Sequence, residues 1–172
     1  MRLKKLIVFI FLSVNLFALN IGEVPKNITI NGENGGLASD GSAWHSATIK
    51  DKVHVLFYVD PDEKDLNSHF SDILKAKKYN RANYGTIAIV NLAATWKPNF
   101  IIEKLLKSKQ KEFPDTTYVK DKNSTLVNKW GVADNNSDII IFSKNEKVIF
   151  YKAGKMSDAD IKKALNIIEN NL

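Results

Sequence analysis

The chain contains no cysteine. This absence excludes disulfide bonds, catalysis by a thiolate, metal sites with cysteine ligands and a lipid-modified N-terminal cysteine. The 172 residues are nevertheless enough for one domain whose core is stable without cross-links. Any function of this chain must therefore use other side chains.

Several motifs of common enzymes are also absent. The sequence has no Gly-x-Ser-x-Gly, no phosphate-binding P-loop and no Gly-x-Gly-x-x-Gly. It has three histidines, and a metal site would need several of them to converge. We interpret His54 as a core or sheet-face residue satisfied by a hydrogen bond, and we place His69 on the polar side of a helix. No catalytic residue and no cofactor are predicted.

The apolar run at the N-terminus is too short to cross a membrane comfortably. Residues 6–17 follow three cations and are broken by two polar residues, whereas a helix that spans the hydrocarbon core needs about 20 residues. The pattern predicts a signal peptide at residues 1–18, cleaved after Ala18, and export to the periplasm. An uncleaved anchor is the alternative, because Leu16 is a poor match to the small residue expected three positions before cleavage.

The charge of the mature chain is close to balanced. The full sequence carries a net charge of +6. Removing Arg2, Lys4 and Lys5 with the signal peptide leaves 22 basic and 19 acidic residues, a net charge of +3. A mildly basic chain gives no reason to expect nucleic-acid binding. The expected partner is an unknown periplasmic protein or small molecule, and no membrane span is expected after removal of the signal peptide.

Strand and helix patterns alternate along the mature chain. Turn residues and short apolar pieces in residues 19–50 indicate an N-terminal β-hairpin or extension. Residues 53–59 and 84–92 have the near-continuous apolar pattern of strands buried on both faces. A helix is predicted from Pro61, and a second helix is set by Phe100, Ile101, Leu105 and Leu106. A strand at 117–119 follows, and then a helix at 123–130 that is capped by Asn123 or Ser124 and stopped by Gly131. The chain ends in paired strands at 138–143 and 147–152 and a C-terminal helix capped by Ser157.

This order of elements predicts an α/β fold. Strands that alternate with helices and close on a hairpin plus a helix form layered sheets with helices on both faces. We therefore predict a thioredoxin-like three-layer sandwich with a mixed central sheet over residues 51–172, preceded by the N-terminal β extension.

Four acidic residues gather directly after the first core strand, where thioredoxin-like proteins carry their redox cysteines at the start of a helix. Here the turn contains Asp60, Asp62, Glu63 and Asp65. We interpret Asp60 as the helix N-cap, Pro61 as the first helical residue and Glu63 as the partner in a capping box. The charge of Asp62 would also be favourable to the helix dipole.

Two functional alternatives to helix capping stay open for this turn. Asp60, Asp62 and Asp65 offer the oxygen ligands that Ca²⁺ or Mg²⁺ prefers, although the glycine and the twelfth-position acid of an EF-hand loop are missing. An enzyme could use Asp60, Glu63 or a histidine at the same end of the sheet. Convergence of these groups in a pocket would favour an enzyme or a cation site over a helix cap.

A binding surface is predicted at this end of the sheet. The turn at 60–65, the loop at 92–98 and the segment at 132–137 flank strand ends that meet there. Trp96 lies in the loop at 92–98 and is a candidate recognition residue, whereas the other two tryptophans are interpreted as structural. The predicted binding residues are Asp60, Asp62, Glu63, Trp96 and Asn136.

A set of short motifs occurs in a defined order. They are Trp44-His-Ser-Ala, Lys52-Val-His-Val-Leu, Asn67 in Lys64-Asp-Leu-Asn, Tyr84 with Ile89-Val-Asn, Phe113-Pro, Trp130 followed by Ser137-Asp-Ile-Ile-Ile, and Lys152-Ala-Gly-Lys. In this order the chain resembles the YtfJ family, small exported bacterial proteins with a thioredoxin-like fold and no established activity. The resemblance covers residues 21–172. Together with the missing cysteines, it favours a non-catalytic binding or accessory module.

The chain departs from the family pattern in two places. The family has Ala-Gly-Arg after the first core strand, where this chain has Val59-Asp-Pro. The family's Asn-Thr-Asp-Asp-Ala run appears here as Asn91-Leu-Ala-Ala-Thr, without the two acids. The cis-proline of thioredoxins has its equivalent near Asn136 or Ser137, and no proline is present there. Roles of the family's arginine and acids therefore do not transfer to this chain.

One short segment also matches a modification motif. Asp121-Lys-Asn-Ser-Thr fits the extended acidic sequon that some bacteria use for periplasmic N-glycosylation. Asn123 is therefore a candidate glycosylation site.

Overall fold

A computed structural model describes residues 19–172 of the protein. The predicted signal peptide, residues 1–18, lies outside these described residues. No helix within the described part is long and apolar enough to cross a membrane.

The described residues form eight strands and four α-helices. The strands are β1 (Thr29–Ile30), β2 (Gly35–Leu37), β3 (Trp44–His45), β4 (Val53–Val59), β5 (Tyr84–Asn91), β6 (Thr116–Asp121), β7 (Ser137–Phe142) and β8 (Val148–Ala153). The helices are α1 (Ser68–Lys77), α2 (Asn99–Glu112), α3 (Thr125–Trp130) and α4 (Asp158–Asn171).

Six strands form one mixed sheet in the order β2-β6-β5-β4-β7-β8. Strands β4, β5 and β6 run parallel to one another, while β7 and β8 continue the sheet antiparallel beyond β4. Every residue of β7 and five of the seven residues of β4 are buried. Strands buried on both faces need cover from two sides, as their apolar patterns predict.

Helices cover both faces of this sheet. Phe70 of α1 and Ile168 of α4 pack in one cluster on one face. Helix α2 packs through Ile102 and Leu106 against the β5–β6 part of the sheet. Trp130 of α3 packs in a separate cluster with residues from the segment before β4. The thioredoxin-like three-layer sandwich with a mixed sheet is therefore confirmed.

The segment before β4 is built into the same sheet. Strand β2 pairs antiparallel with β6, with Gly35 opposite Asp121. Gly35 has a φ of +125°, and a Cβ at this position would lie 1.9 Å from the backbone oxygen of Lys120. Only glycine permits this approach of the two backbones. Strands β1 and β3 form a separate antiparallel pair, and the division of the chain at residue 50 stays a prediction.

One predicted helix start is wrong. Residues Pro61–Glu63 form a short 3-10 turn, and α1 begins only at Ser68, with no side-chain cap from Asp60. The capping box predicted for the acidic turn is therefore not formed. The reason is that the Asp60 carboxylate accepts a hydrogen bond from the backbone N–H of Asn136, 2.6 Å away, in a different segment.

Helix α3 has Ser124 at its N-cap position, which is one of the two predicted residues. Its side chain makes no capping bond, however. The carboxylate of Asp121 instead accepts hydrogen bonds from the backbone N–H groups of Thr125 and Leu126, at 2.6 and 3.3 Å. The predicted Ser157 cap of α4 is confirmed, with Asp160 completing the capping box.

Asn67 connects the start of α1 to two other segments. Its side chain is buried and donates to the backbone oxygens of Ser137 and Gly154, each at 3.1 Å. Its amide oxygen accepts from the backbone N–H of Met156 at 2.9 Å. One side chain thus satisfies three backbone groups on both sides of the β7–β8 hairpin.

Replacing Asn67 by alanine is expected to lower the free energy of unfolding by about 2 to 4 kcal/mol, because buried backbone groups would lose their partners. Urea denaturation measures this change. Asn171→Ala is the matched control, since its amide makes one exposed bond to the Ile167 oxygen at 2.8 Å. Its expected cost is below about 0.5 kcal/mol. Equal losses in the two variants would contradict the connecting role of Asn67.

Candidate functional site at the carboxyl end of the sheet

Three segments meet where the parallel strands β4 and β5 end. The side chain of Asp62 accepts a hydrogen bond from Thr95 at 2.9 Å and forms an ion pair with Lys97. The turn at 60–65 is therefore attached to the loop at 92–98. Asp60 attaches the same turn to the segment before β7. The three segments predicted to share one end of the sheet are brought together there.

Asp60 lies beneath the three segments that meet at this end of the sheet. Its side chain is 2 % exposed. Its backbone N–H donates to the Asn136 oxygen at 2.9 Å, and its carboxylate accepts from the Asn136 N–H. The pKa of Asp60 is raised to about 6, mainly because the carboxyl is buried; hydrogen bonds with Asn136 and Asn91 oppose this rise, and the charges of Asp134 and Glu63 add to it. The position is structural, because a carboxylate so deeply buried does not meet solvent.

The other acids of the turn point to separate partners. Asp62 binds Thr95 and Lys97, while Asp65 pairs with its neighbour Lys64 at 2.5 Å. Glu63 is exposed. Within residues 19–172, no group of three or more histidine, aspartate or glutamate side chains is arranged to hold a metal ion. The acids of this turn therefore do not converge as a cation site requires.

A second buried carboxylate, Asp138, was not singled out from the sequence. It lies in β7 with a fully buried side chain. It accepts a hydrogen bond from the backbone N–H of Ala133 at 2.8 Å and lies 3.5 Å from the Tyr151 hydroxyl. The pKa of Asp138 is raised to about 7, mainly because the carboxyl is buried; the hydrogen bond from Ala133 opposes this rise and the charge of Asp60 contributes to it. The sequence signal for a buried carboxylate is the position of Asp138 within the apolar run Ser-Asp-Ile-Ile-Ile-Phe.

Together with Asp60 and Asp138, buried amide and hydroxyl groups form a polar layer at the carboxyl end of the sheet. Asn91, at the end of β5, is buried and accepts from the Ala93 N–H at 3.2 Å and the Ser124 hydroxyl at 3.1 Å. The Tyr58 hydroxyl donates to Asp121 at 3.1 Å, and burial raises the pKa of Tyr58. The bonds of Asn91 with Ser124 and of Tyr58 with Asp121 join segments that are far apart in sequence. The carboxyl end of the sheet is therefore a hydrogen-bonded base that holds the loops above it in place.

An exposed apolar group lies beside this base. Trp96 is 86 % exposed and lies just before α2, whereas the other two tryptophans are buried. On α2 itself, Phe100, Ile101 and Leu105 are 73, 43 and 57 % exposed. These three, with Leu106, are the apolar residues whose spacing predicts the helix. The residues that α2 buries are Ile102 and Leu106. We call Trp96, Phe100, Ile101 and Leu105 the α2 surface.

The histidines do not belong to this site. His54 Nδ1 lies 3.1 Å from the Lys52 carbonyl oxygen inside β4, so its prediction as a satisfied sheet histidine is confirmed. His69 Nε2 lies 3.1 Å from the Met156 carbonyl oxygen, so His69 is partly packed rather than free on a polar face. Because these two rings bond backbone in different places, they do not form a joint catalytic or metal centre.

Asn123 is exposed, but its sequon is folded into the protein. Its side chain hydrogen-bonds to Asn34, and the acid of the motif, Asp121, is fully buried under α3. An enzyme that reads this acid would have to act before the segment folds. Glycosylation at Asn123 stays a prediction.

The two raised pKa values predict that stability falls as the pH rises. Both carboxyls have folded pKa values, about 6 for Asp60 and about 7 for Asp138, above the unfolded value of 3.8. Their neutral forms therefore stabilise the fold below pH 4, and this contribution is lost as the pH passes 7. Since one pKa unit corresponds to about 1.4 kcal/mol, we expect a loss of roughly 3 kcal/mol from Asp60 and roughly 4 kcal/mol from Asp138.

Urea denaturation between pH 4 and 8 measures this loss. Asp138→Asn should remove the part of the loss that comes from Asp138, because asparagine cannot ionise, and should leave the part from Asp60. Asp65→Asn, on the exposed part of the acidic turn, is the matched control and should keep the wild-type profile. A wild-type stability that stays constant or rises over this range would contradict the prediction.

Sequence comparison identifies relatives along most of the chain. Residues 28–171 match the profile of a family described as "Bacterial protein of unknown function (YtfJ_HI0045)". An uncharacterized protein of Haemophilus influenzae is 33 % identical over 129 residues, which are 73 % of this chain and 70 % of that protein. An uncharacterized protein of Escherichia coli K12, YtfJ, is 23 % identical over 132 residues, 75 % of this chain and 72 % of that one.

Comparison of structures agrees with the fold. The thioredoxin domain of a thiol-disulfide oxidoreductase from Bacteroides vulgatus superposes with a TM-score of 0.59 at 12 % identity, over 87 % of this chain and 98 % of that one. At this identity the similarity concerns the fold alone, and the present chain has no cysteine for disulfide exchange. The chain thus has a thioredoxin-like fold and belongs to the YtfJ family of bacterial proteins of unknown function.

Proposed function

We propose that the protein is an exported, non-catalytic binding module that docks a protein partner on the α2 surface. The exposure of Trp96 supports this most directly. A tryptophan that is 86 % exposed places a large apolar side chain in water, and such residues are the commonest anchors of protein interfaces. The absence of cysteine removes the thiol chemistry of redox-active thioredoxins.

The loop that carries Trp96 is held in place before any partner arrives. Its neighbours Thr95 and Lys97 both bind the side chain of Asp62. Asp62 in turn follows Asp60, which is fixed to Asn136. Preorganisation of a recognition loop lowers the entropy lost on binding. In this proposal the acidic turn positions a recognition residue, and it neither performs catalysis nor binds a cation.

The charges around the α2 surface favour an acidic partner. Both acids of the helix are already paired: Glu103 with Lys122 at 2.9 Å, and Glu112 with Lys109 at 2.9 Å. The further cations of α2 are exposed, namely Lys104, Lys107 and Lys111. A partner with an apolar centre and an acidic rim would complement this surface.

A protein partner fits better than a lipid surface. Helices that lie on membranes present a wide continuous apolar face. On α2, Lys104 lies one helical turn after Phe100 and directly before Leu105, so a cation interrupts the apolar residues. A small apolar patch mixed with charges is the composition of a protein interface.

The enzyme alternative requires an acid that substrate can reach. Asp60 and Asp138 have the raised pKa values that mark many catalytic acids. Both side chains are buried, however, and both are hydrogen-bonded to backbone. The buried acids therefore support a structural role, and the exposed Trp96 supports binding.

Site-specific photo-crosslinking in the native cell tests the docking surface. A benzoylphenylalanine in place of Phe100 should give a discrete protein adduct, while the same group at the exposed Lys162 of α4 should not. The captured protein is then purified and its affinity measured by calorimetry. Trp96→Ala should weaken binding by about 30-fold, as expected for an interface anchor, without changing the melting temperature.

Two results would contradict this proposal. The first is evidence that the α2 surface is not the docking site. Equal crosslinking from positions 100 and 162 would give it, and so would an affinity that Trp96→Ala leaves unchanged. The second is binding to vesicles of phosphatidylglycerol that Trp96→Ala abolishes, which would assign the α2 surface to a membrane. Lys162→Ala is the matched control for the affinity measurement and should bind as the wild type does.

Export has its own test in the intact mass of the native protein. Cleavage after Ala18 would give a periplasmic polypeptide that begins at Leu19. The full 172-residue mass in the membrane fraction would contradict cleavage and support the uncleaved anchor. The same spectrum would show any glycan on Asn123 as added mass.

A further inference from the structure

A cavity of about 290 Å³ lies at the opposite end of the sheet, where β4 and β5 begin. Its lining includes Trp44, Lys52, His54, Arg81 and Gly85. The volume is at the lower end of the range found for small-molecule sites. The cavity is separate from the α2 surface and from the polar layer at the carboxyl end.

The imidazole of His54 forms one wall because residue 85 has no side chain. A Cβ at Gly85 would lie 2.6 Å from His54 Cδ2 and 2.8 Å from Nε2. These distances are shorter than any tolerated contact, so glycine makes room for the ring. Gly85 does not have a positive φ, so backbone strain is not what requires glycine there. The packing thus fixes the ring at the edge of the cavity.

The hydrogen bond of His54 fixes which nitrogen is free. Nδ1 lies 3.1 Å from the carbonyl oxygen of Lys52. A carbonyl only accepts, so Nδ1 carries a proton in the neutral ring and Nε2 keeps its lone pair. When the ring gains a proton, Nε2 becomes a charged donor.

The charge around this ring is positive. Lys52 donates to the backbone oxygen of Arg81 at 2.7 Å, which leaves its charge without a carboxylate. Arg81 has one acid nearby, Asp115, at 3.6 Å. The charged or titratable residues that line the cavity with His54 are Lys52, Arg81, Tyr84 and Asp115. Burial lowers the pKa of His54 and the charge of Lys52 adds to this effect, while the hydrogen bond to the Lys52 carbonyl opposes it.

We propose that this cavity binds a small anion through a phosphate or carboxylate head group, with Lys52, Arg81 and His54 as its ligands. Arginine and lysine supply the charge, and the planar guanidinium can engage two oxygens of the head group. This site does not depend on the docking proposal, because it shares no residue with the α2 surface.

Protonation and binding are linked in this site. An anion beside His54 favours the charged imidazole, so binding raises the pKa of His54. By the same linkage, affinity increases as the pH falls through that pKa. A histidine that only fills space in the sheet would not respond to the anion.

The test is a pH titration of the histidine resonances of the full chain by NMR. It is done in sodium chloride, in inorganic phosphate and in succinate, all at one ionic strength. The pKa of His54 should rise by about half a unit or more in at least one oxyanion relative to chloride. His45 and His69, which do not line the cavity, should not respond. The two oxyanions distinguish a phosphate ligand from a carboxylate ligand.

Variants identify the groups that hold the anion. The double variant Lys52→Met with Arg81→Gln should weaken binding at least tenfold while keeping the fold, because neither side chain is part of a core cluster. Lys162→Met on α4 is the matched control and should leave affinity unchanged. Equal His54 pKa values in all three salts, or unchanged affinity in the double variant, would overturn the proposal.

Discussion

The hydrogen bonds between Asp60 and Asn136 close the carboxyl end of the sheet. They continue the pairing of β4 with β7 one residue past Val59 and Ser137. Because the carboxylate of Asp60 is used there, it does not cap a helix, and the chain makes a longer turn before α1. This turn carries Asp62 to Thr95 and Lys97, which fix the loop of Trp96. The position of the most exposed aromatic residue therefore depends on a buried acid.

The two ends of the sheet differ in charge. At the carboxyl end, Asp60 and Asp138 are buried and bonded to backbone N–H groups. At the amino end, Lys52 and Arg81 flank a neutral histidine with one nearby acid. Buried acids that are held by backbone donors are costly in their ionised form. Asp60 connects two segments 76 positions apart, whereas Asp138 holds the turn just before its own strand through the Ala133 N–H.

Much of the fold could be predicted from the sequence because its determinants are local. The apolar runs of β4 and β5, the Ser157 cap and the glycine that ends α3 each act within a few residues. The order of these elements then allows few topologies. The resemblance to the YtfJ family rests on the same ordered motifs. The mixed sheet and its three layers follow from these features.

The site could be predicted only in part, because its partners are far apart in sequence. Asp60 has the spacing of a helix cap, and nothing local shows that Asn136, 76 positions later, takes its carboxylate. Phe100, Ile101 and Leu105 have helical spacing, but periodicity does not show which side of a helix faces the sheet. The cavity joins residues from positions 44 to 117. Such groupings are formed by tertiary packing and leave no local pattern.

The pairing of β2 with β6 has a consequence for how the chain assembles. Gly35 and Asp121 are neighbours in the sheet but lie 86 positions apart in the chain. Contacts of such long range form late, because closing a long loop costs entropy before any contact is gained. Until β2 arrives, β6 is an open edge strand, and open edges are where strands of separate molecules pair. In the folded protein, pairing with β2 covers this edge of β6.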